Sequence, residues 1–427
     1  MKIIRPGSLG QKYAFVVAGV VFLALLVSAG QRSAPGVLIL PLEAGFGWSR
    51  DTISLSAAVG IFLYGLVGPF AATLMVGLGV RRVMLGALAL MAFSAAASSF
   101  MDSAWQLLAT WGVMSGLASG SVALVLGATV VNRWFATNRG LMMGLLTASA
   151  ATGTLLFLPA LAALADAFGW QAVVLACAAA AAALIPLVWW LVPEDPAAIG
   201  QLPYGATEAA AGAVAPAPPA NVGRMVGATF ATLGRAMRAK AFWYLFATFF
   251  ICGFTTNGLV GTHLIALCGD RGIPEVQAAG LLAAMGLFDL AGTTLSGWLT
   301  DRFDPRKLLF VYYGIRGLSL IFLIHSDFDL FSLAIFSIFF GLDWIATVPP
   351  TLRLTTDHFG ERDAPVIFGW IVAGHQVGAA AAAFFAGYMR TVQGNYLEAF
   401  VIAGATGLLA ALLSLMMARR AVPAAAT

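Results

Sequence analysis

Six ionisable side chains interrupt stretches that are otherwise almost wholly apolar: Arg32, His263, Asp289, Arg316, Asp343 and His375. A charge in such a stretch costs roughly 2.5–3.5 kcal/mol if the stretch lies in lipid, so it marks a pathway or a pairing. Arg32 stands between Gln31 and Ser33. Its planar guanidinium presents a fork of donors that matches a carboxylate, which makes it the first candidate for contact with an anionic ligand. Asp289 lies in Gly286-Leu-Phe-Asp-Leu-Ala-Gly292. Burial disfavours its charged form and a nearby cation favours it, so a carboxyl held between the two can take up and release a proton. A static salt bridge, with Arg32 or Arg316 as partner, is the competing expectation. His375, in Gly374-His-Gln-Val-Gly378, titrates near neutrality and suits proton exchange or pH-dependent anion binding. His263 is a second candidate for proton coupling. Arg316 and Asp343 are expected to pair with each other, which limits the cost of both.

The elements that carry these residues follow from composition. The chain has 427 residues, 60% hydrophobic and 10% charged, against roughly 25% charged in soluble domains. Its 47 glycines suit membrane helices, where small residues let backbones approach. A bilayer span needs about 20 mostly apolar residues. Twelve candidates appear, near 13–40, 52–75, 82–101, 105–131, 141–165, 170–192, 241–267, 277–300, 308–325, 329–350, 365–388 and 396–418. The fold class is therefore all-α integral membrane, twelve transmembrane helices in two six-helix bundles. The domains are 1–192, a cytoplasmic linker 193–240, and 241–427. The linker's middle, Ala209 to Val222, is Ala/Pro-rich and uncharged, so little fixed structure is expected there.

Charge placement orients the spans. Of 23 Lys and Arg residues, Arg50, Arg271 and Arg390 fall on one side and Arg32 and Arg316 inside spans. The remaining eighteen fall on the side of both termini, which is the cytoplasm by the positive-inside rule. The inner membrane of a cell is the expected location. Cys177, Cys252 and Cys268 show no metal or disulfide spacing and are assigned to packing. No cofactor motif, metal cluster or nucleophile–base set is present, which argues against an enzyme, and nothing points to nucleic acid. The chain is expected to act as a monomer.

The halves match weakly at an offset of 225 residues. Arg32 falls on Asn257 and Tyr64 on Asp289, so Asn257 and Tyr64 join the candidates for ligand contact. Leu74-Met-Val-Gly-Leu-Gly-Val-Arg-Arg82 falls on Leu299-Thr-Asp-Arg-Phe-Asp-Pro-Arg-Lys307. Six-helix repeats of this kind are the signature of alternating-access carriers that hold substrate near the midplane.

The second of these loops, with Gly297, Asp301, Arg302, Arg306 and Lys307, resembles motif A of the major facilitator superfamily. Gly68-Pro69 and Arg81-Arg82 resemble its first copy, but Val76 and Gly77 stand where that copy carries Asp-Arg. The resemblance implies a cytoplasmic lock built on Asp301 and its basic partners, with a first-half lock that departs from the pattern. Phe46-Gly-Trp-Ser49, Arg32-Ser-Ala-Pro-Gly-Val37 and Asn132-Arg-Trp-Phe135 with Arg139-Gly140 resemble the monocarboxylate and oxalate–formate branch. That branch tends to carry a basic residue near Arg32, an eighth-helix aspartate implicated in proton coupling at Asp289, and a cationic substrate residue in the helix of His375. An arginine often follows the aspartate by one turn; here that position is Thr293. The resemblance thus implies a carrier of a small organic anion, such as a monocarboxylate, by proton symport or anion exchange. The alternative is an exporter of amphipathic or xenobiotic compounds. An arginine in the fourth span and a Gly-Pro motif in the fifth mark proton-driven drug exporters; the fourth span here has no arginine around Trp111 to Ser121 and the fifth lacks Gly-Pro, which counts against the exporter.

Overall fold

A computed structural model describes residues 10–207 and 222–418. Lys2, Arg5, Arg419, Arg420 and the linker stretch 209–221 lie outside the described residues. The spanning helices of the first half are α1 Tyr13–Phe46, α2 Arg50–Leu78, α3 Val80–Ser98, α4 Ala104–Trp134, α5 Arg139–Phe168 and α6 Trp170–Leu191. Those of the second half begin with α7 Lys240–Asp270, α8 Glu275–Thr300 and α9 Pro305–His325. Helical structure runs on from Leu330 to Gln393, through the charged stretch 353–363 that separates two apolar segments. Gly360, at φ 77°, turns the chain inside it, a left-handed conformation open to a residue without Cβ. That turn separates α10, residues 330–359, from α11, residues 361–393, and α12 is Leu397–Met416. The count of twelve spans therefore holds among the described residues. Most spans run longer than the apolar windows suggested, because their ends carry polar residues beyond the hydrocarbon-length core, whereas α3, α6 and α12 run slightly shorter.

Local sequence explains several helix ends. Gly47 closes α1 at φ 66°, its N–H donating to the Glu43 carbonyl at 2.9 Å, the usual left-handed helix stop. Asp304 caps α9 ahead of Pro305 and accepts from the Arg306 N–H, and Asp329 caps α10 by accepting from the Ser332 N–H at 2.9 Å; each satisfies a free first-turn donor. The linker is ordered on either side of the stretch that lies outside the described residues. Residues 193–207 fold back, with the Tyr204 N–H donating to the Trp134 carbonyl at 2.8 Å. Val222–Ala236 forms a linker helix that packs on both α2 and α11. Phe230 of this helix lies 5.7 Å from Phe70 and 5.4 Å from Trp370 between ring centroids.

Helix packing joins the halves through α1 with α7, α2 with α11, and α5 with α8. The apolar core is not uniform along these seams. On the side away from the termini, here the distal face, one cluster runs through both halves and includes Val37, Leu38, Leu42, Trp170, Leu264, Leu267 and Phe400. Toward the face of the termini the core divides. One cluster, with Val17, Met84, Leu126 and Val188, belongs to the first half. The other, with Phe242, Leu309, Ile371 and Ala410, belongs to the second. The halves thus share one interior distally and have separate interiors near the termini.

Candidate functional site

The level at which the core divides is where the polar groups collect. Arg32 lies between Val27 of the terminal-side cluster and Ala34 of the distal one on α1. Asn257 lies between Cys252 and Leu259 on α7, Arg316 between Tyr313 and Leu320 on α9, and His375 between Ile371 and Ala382 on α11. Tyr64, Asp289 and Asp343 also fall past the edge of the distal cluster on their helices. Five of the six residues expected in the ligand and proton pathway, together with the expected structural pair Arg316 and Asp343, therefore share one level of the bundle.

Arg32 is exposed, and its guanidinium sits 4.5 Å over the Tyr64 ring centroid. The structure brings these two candidates together. Among the described residues it joins neither to Asn257 nor to His375 by a polar contact. Asn257 occupies a widened π-type turn, Phe254–Val260, and its carbonyl accepts from Thr262 Oγ1 at 2.9 Å. Such turns release backbone from the regular ladder and recur at functional sites. α11 approaches α2 and α7 at this height, with Gln376 against Gly65 and the His375 backbone against Gly253, contacts that a Cβ on either glycine would block. The His375 ring lies 5.0 Å from that of Phe249, and its Nδ1 is buried without a hydrogen-bond partner.

Asp289 is buried and pairs with neither arginine. Its Oδ1 accepts from Thr293 Oγ1 and from the Ile345 N–H, both at 2.9 Å. Thr293 supplies a neutral donor at the position where an arginine would have supplied charge. Arg316 is completely buried. Its Nε donates to Asp343 Oδ2 at 2.6 Å, its Nη1 to Cys252 Sγ at 2.8 Å, and its Nη2 to the carbonyls of Asp343 at 2.5 Å and Trp344 at 3.2 Å. This guanidinium is nearly saturated by the protein and has little capacity left for a ligand.

His263 stands apart from the shared level. It is fully buried inside the distal cluster. Nε2 lies 2.7 Å from the Ala383 carbonyl and so carries the proton, while Nδ1 accepts from the Tyr396 hydroxyl at 3.2 Å. Tyr396 leads into a network that charge counting did not anticipate. Arg50 of the first half donates to both oxygens of Asp270 on α7, at 2.6 and 2.9 Å, to Glu43 at 2.8 Å and to Tyr396 at 3.1 Å. Arg390 of α11 donates to Asp270 at 2.7 Å. Asp51 accepts from Thr391 across the same seam at 3.2 Å. Two of the three arginines on the cation-poor side thus meet on one carboxylate that joins the halves. The signal available in the sequence was the scarcity of cations on this face, where Arg50 and Arg390 stand among many carboxylates.

The motif A residues behave differently. Asp301 makes no ion pair among the described residues. Arg306, expected to join it, instead donates to Asp304 at 2.6 Å and to the Met417 carbonyl at 2.8 Å, because Asp304 is the cap of the helix that carries Arg306. Arg302 lies 4.1 Å over the Trp298 ring. Arg81 stacks on Trp189 at 4.8 Å and donates to its carbonyl, and its N–H donates to Glu194 at 3.3 Å. Arg82 and Lys307 are exposed, and Gly68 lies within α2. The terminal face lacks the cross-half charge network that the distal face has, among the described residues.

Comparison with known proteins follows this geometry. The family model described as Major Facilitator Superfamily matches residues 21–364 and 269–427. An uncharacterised MFS-type transporter, YcxA of Bacillus subtilis, is 26% identical over 386 residues, covering 86% of each chain. Monocarboxylate transporter 13 of Rattus norvegicus is 26% identical over 395 residues, 91% of this chain and 85% of its own. A gallate transporter of Pseudomonas putida is 26% identical over 330 residues, 72% of this chain and 70% of its own. Two solved structures share the fold at a TM-score of 0.72. A bacterial homologue of the human lysosomal transporter Spinster covers 95% of this chain and 98% of its own at 14% identity. A D-xylose–proton symporter covers 94% and 97% at 15% identity. With twelve helices in two repeats, polar groups gathered at the level between them and a family model that matches nearly the whole chain, this protein belongs to the major facilitator superfamily and is a membrane transporter, not an enzyme.

Proposed function

We propose that the protein carries a small organic anion of the monocarboxylate class by alternating access, with proton symport or anion exchange. The observation that carries this reading is Arg32: an exposed guanidinium at the level where the core divides, stacked on Tyr64 and without a carboxylate partner among the described residues. A fixed cation that no protein anion neutralises is a receptor for a mobile one. The contrast with Arg316, whose donors are taken by Asp343, Cys252 and two carbonyls, singles it out. The monocarboxylate and gallate transporters among the relatives support the same substrate class.

In this reading Arg32 binds the carboxylate, Tyr64 holds the guanidinium flat, and Asn257 and His375 complete the site from the second half. Asp289 carries the coupling proton, because it is buried beside neutral donors and without a paired cation. His263, locked between Ala383 and Tyr396, serves the distal closure rather than proton uptake. The Arg316–Asp343 pair is structural. The continuous distal core and the Arg50–Asp270–Arg390 network support a state closed at the distal face, with the site facing the termini. By charge placement that side is the cytoplasm and the membrane is the inner one. Purified protein in liposomes tests the proposal: an imposed pH gradient, or an opposed carboxylate gradient, should drive accumulation of a labelled small carboxylate. Failure of both gradients across a panel of such anions, with an amphipathic dye moving instead, would sink it in favour of an exporter.

A further inference from the structure

A backbone interruption inside α10 is held by side chains of two neighbouring helices. Helical bonding stops at Asp343 and resumes at Val348. The cause is local. Pro349 and Pro350 follow the interruption, and a proline has no N–H for the carbonyl four residues earlier. Pro350 therefore leaves the Ala346 carbonyl without its helical partner. Trp344 N–H turns to the Gly341 carbonyl at 3.1 Å and Val348 N–H to that of Ile345 at 2.9 Å, which leaves the Ile345 N–H and the carbonyls of Asp343 and Trp344 to find other partners.

Side chains of two neighbouring helices fill every one of these positions. From α9, Arg316 Nη2 donates to the carbonyls of Asp343 and Trp344. From α8, Ser296 Oγ donates to the Ala346 carbonyl at 2.5 Å and Asp289 Oδ1 accepts the Ile345 N–H at 2.9 Å. α8 lies so close here that a Cβ on Gly292 would strike the Leu342 carbonyl. A discontinuous membrane helix usually offers its freed groups to a ligand or ion. In this chain the protein itself occupies them, so the interruption serves movement rather than binding. The 225-residue offset sets Thr347 on Val122, where α4 is also interrupted, with ψ values of 60° and −173° at Val122 and Ala123. The two repeats thus bend at matching places, but among the described residues a titratable cap is seen only in the second.

We propose that Asp289, Ser296 and Arg316 are positioning residues for the α10 interruption, and that a proton arriving on Asp289 releases the Ile345 N–H and lets α10 pivot. This rests on the reading of Asp289 as the proton carrier. As a carboxylate, Oδ1 accepts from Ile345 and Thr293 at once. As a neutral acid it is a weaker acceptor for both. The charged groups that act on Asp289 are Arg316 from α9 and Asp343 from α10; Glu275 and Asp166, where α8 meets α5, interact with each other at the distal ends of those helices. Protonation changes the one carboxyl that ties α8 to the interruption, while Arg316 keeps α9 attached. The result is a hinge with one releasable tether, Asp289, and two that do not titrate, Ser296 and Arg316.

Hydrogen–deuterium exchange of the full-length protein in detergent, without substrate, reads the release directly. In wild type, peptides covering 341–352 should exchange about tenfold faster at low pH than at high pH once the intrinsic pH dependence of exchange is removed, as expected for loss of a charge-assisted bond. Asp289→Asn should show the fast level at every pH, and Ser296→Ala should raise exchange in the same peptides while keeping the pH step. A wild-type profile without a pH step overturns the proposal, whether or not Asp289→Asn folds, as does an Asp289→Asn protein that retains the step. The measurement is independent of substrate and of gradients. A pH step without proton-driven uptake would leave the hinge standing and remove the symport reading; proton-driven uptake without the step would do the reverse.

Discussion

At the scale of single residues, two arginines in nearly equivalent sequence settings come to opposite uses. Both interrupt apolar helices, and insertion cost alone does not separate them. Burial and partners do. Arg316 is enclosed and saturated, whereas Arg32 is exposed over an aromatic face. Arg32→Ala should therefore lower carboxylate uptake by about 10- to 150-fold, the equivalent of roughly 1.5–3 kcal/mol for a charged hydrogen bond, with no change in thermal unfolding. Tyr64→Phe should keep most uptake because the ring face remains, while Tyr64→Ala should cost several-fold, in keeping with about 0.5–1 kcal/mol for an exposed cation–π contact. Concentration dependence of initial uptake rates would separate these outcomes, and equal rates for all three variants would remove both residues from the site. Asp343→Ala has the opposite signature. It strands a buried guanidinium, so about 3–5 kcal/mol of stability should be lost, visible as a large drop in the unfolding temperature in detergent. The pairing of Arg316 with Asp343 was legible as two opposite charges in adjacent spans. The saturation of Arg316 by Cys252 and two carbonyls was not, because the carbonyls of Asp343 and Trp344 do not stand four residues before a proline and their release depends on how the chain turns there.

At the scale of elements, the interruptions matter more than the helices. Hydropathy separates α10 from α11 at the charged residues 353–363 but does not show how the chain turns there: helical structure runs on from one to the other, broken by a positive-φ glycine at 360. The Pro349-Pro350 pair was a visible signal for the interruption in α10, since missing N–H groups have predictable consequences four residues earlier. Which side chains would reach the freed carbonyls depended on helix packing and could not be read. A Pro349→Ala, Pro350→Ala double variant restores two donors and should straighten α10. Substrate affinity should stay within about twofold while turnover slows, since the site-forming residues are untouched and only the conformational step loses its pivot. Counterflow exchange compared with equilibrium binding would show it; unchanged turnover would mean that the interruption is incidental.

For the molecule as a whole, the asymmetry between its faces is the main result. The distal face has a shared apolar core, and across it Asp270 is held by arginines from both halves. The terminal face has two separate cores, bridged by the linker helix where Phe230 meets Phe70 and Trp370. Asp270→Asn should weaken the distal closure and shift the population toward the opposite state. A cysteine at Leu40, which packs against Gly269 just inside that closure, should then react several-fold faster with a membrane-impermeant thiol reagent applied from the distal side. No change in labelling rate would mean that apolar packing alone holds the face shut.

The sequence by itself determined the class of this protein. Sixty per cent apolar residues in runs of membrane length, with cations crowded to one side, leave few architectures other than a helical membrane bundle, because backbone groups in lipid must bond within their own segment. The offset of 225 residues and the loop around Asp301 pointed to a transporter with two halves. Tertiary structure decided which charges are free and which are spent. Arg306 turned to Asp304 and away from Asp301, His263 joined the distal network and not the central level, and Asp289 closed on an amide and not on an arginine. Each of those outcomes turns on a contact of about 3 Å between residues from two to more than a hundred positions apart. Insertion energies and periodicity act along one helix at a time and hold no record of which neighbour will stand beside it.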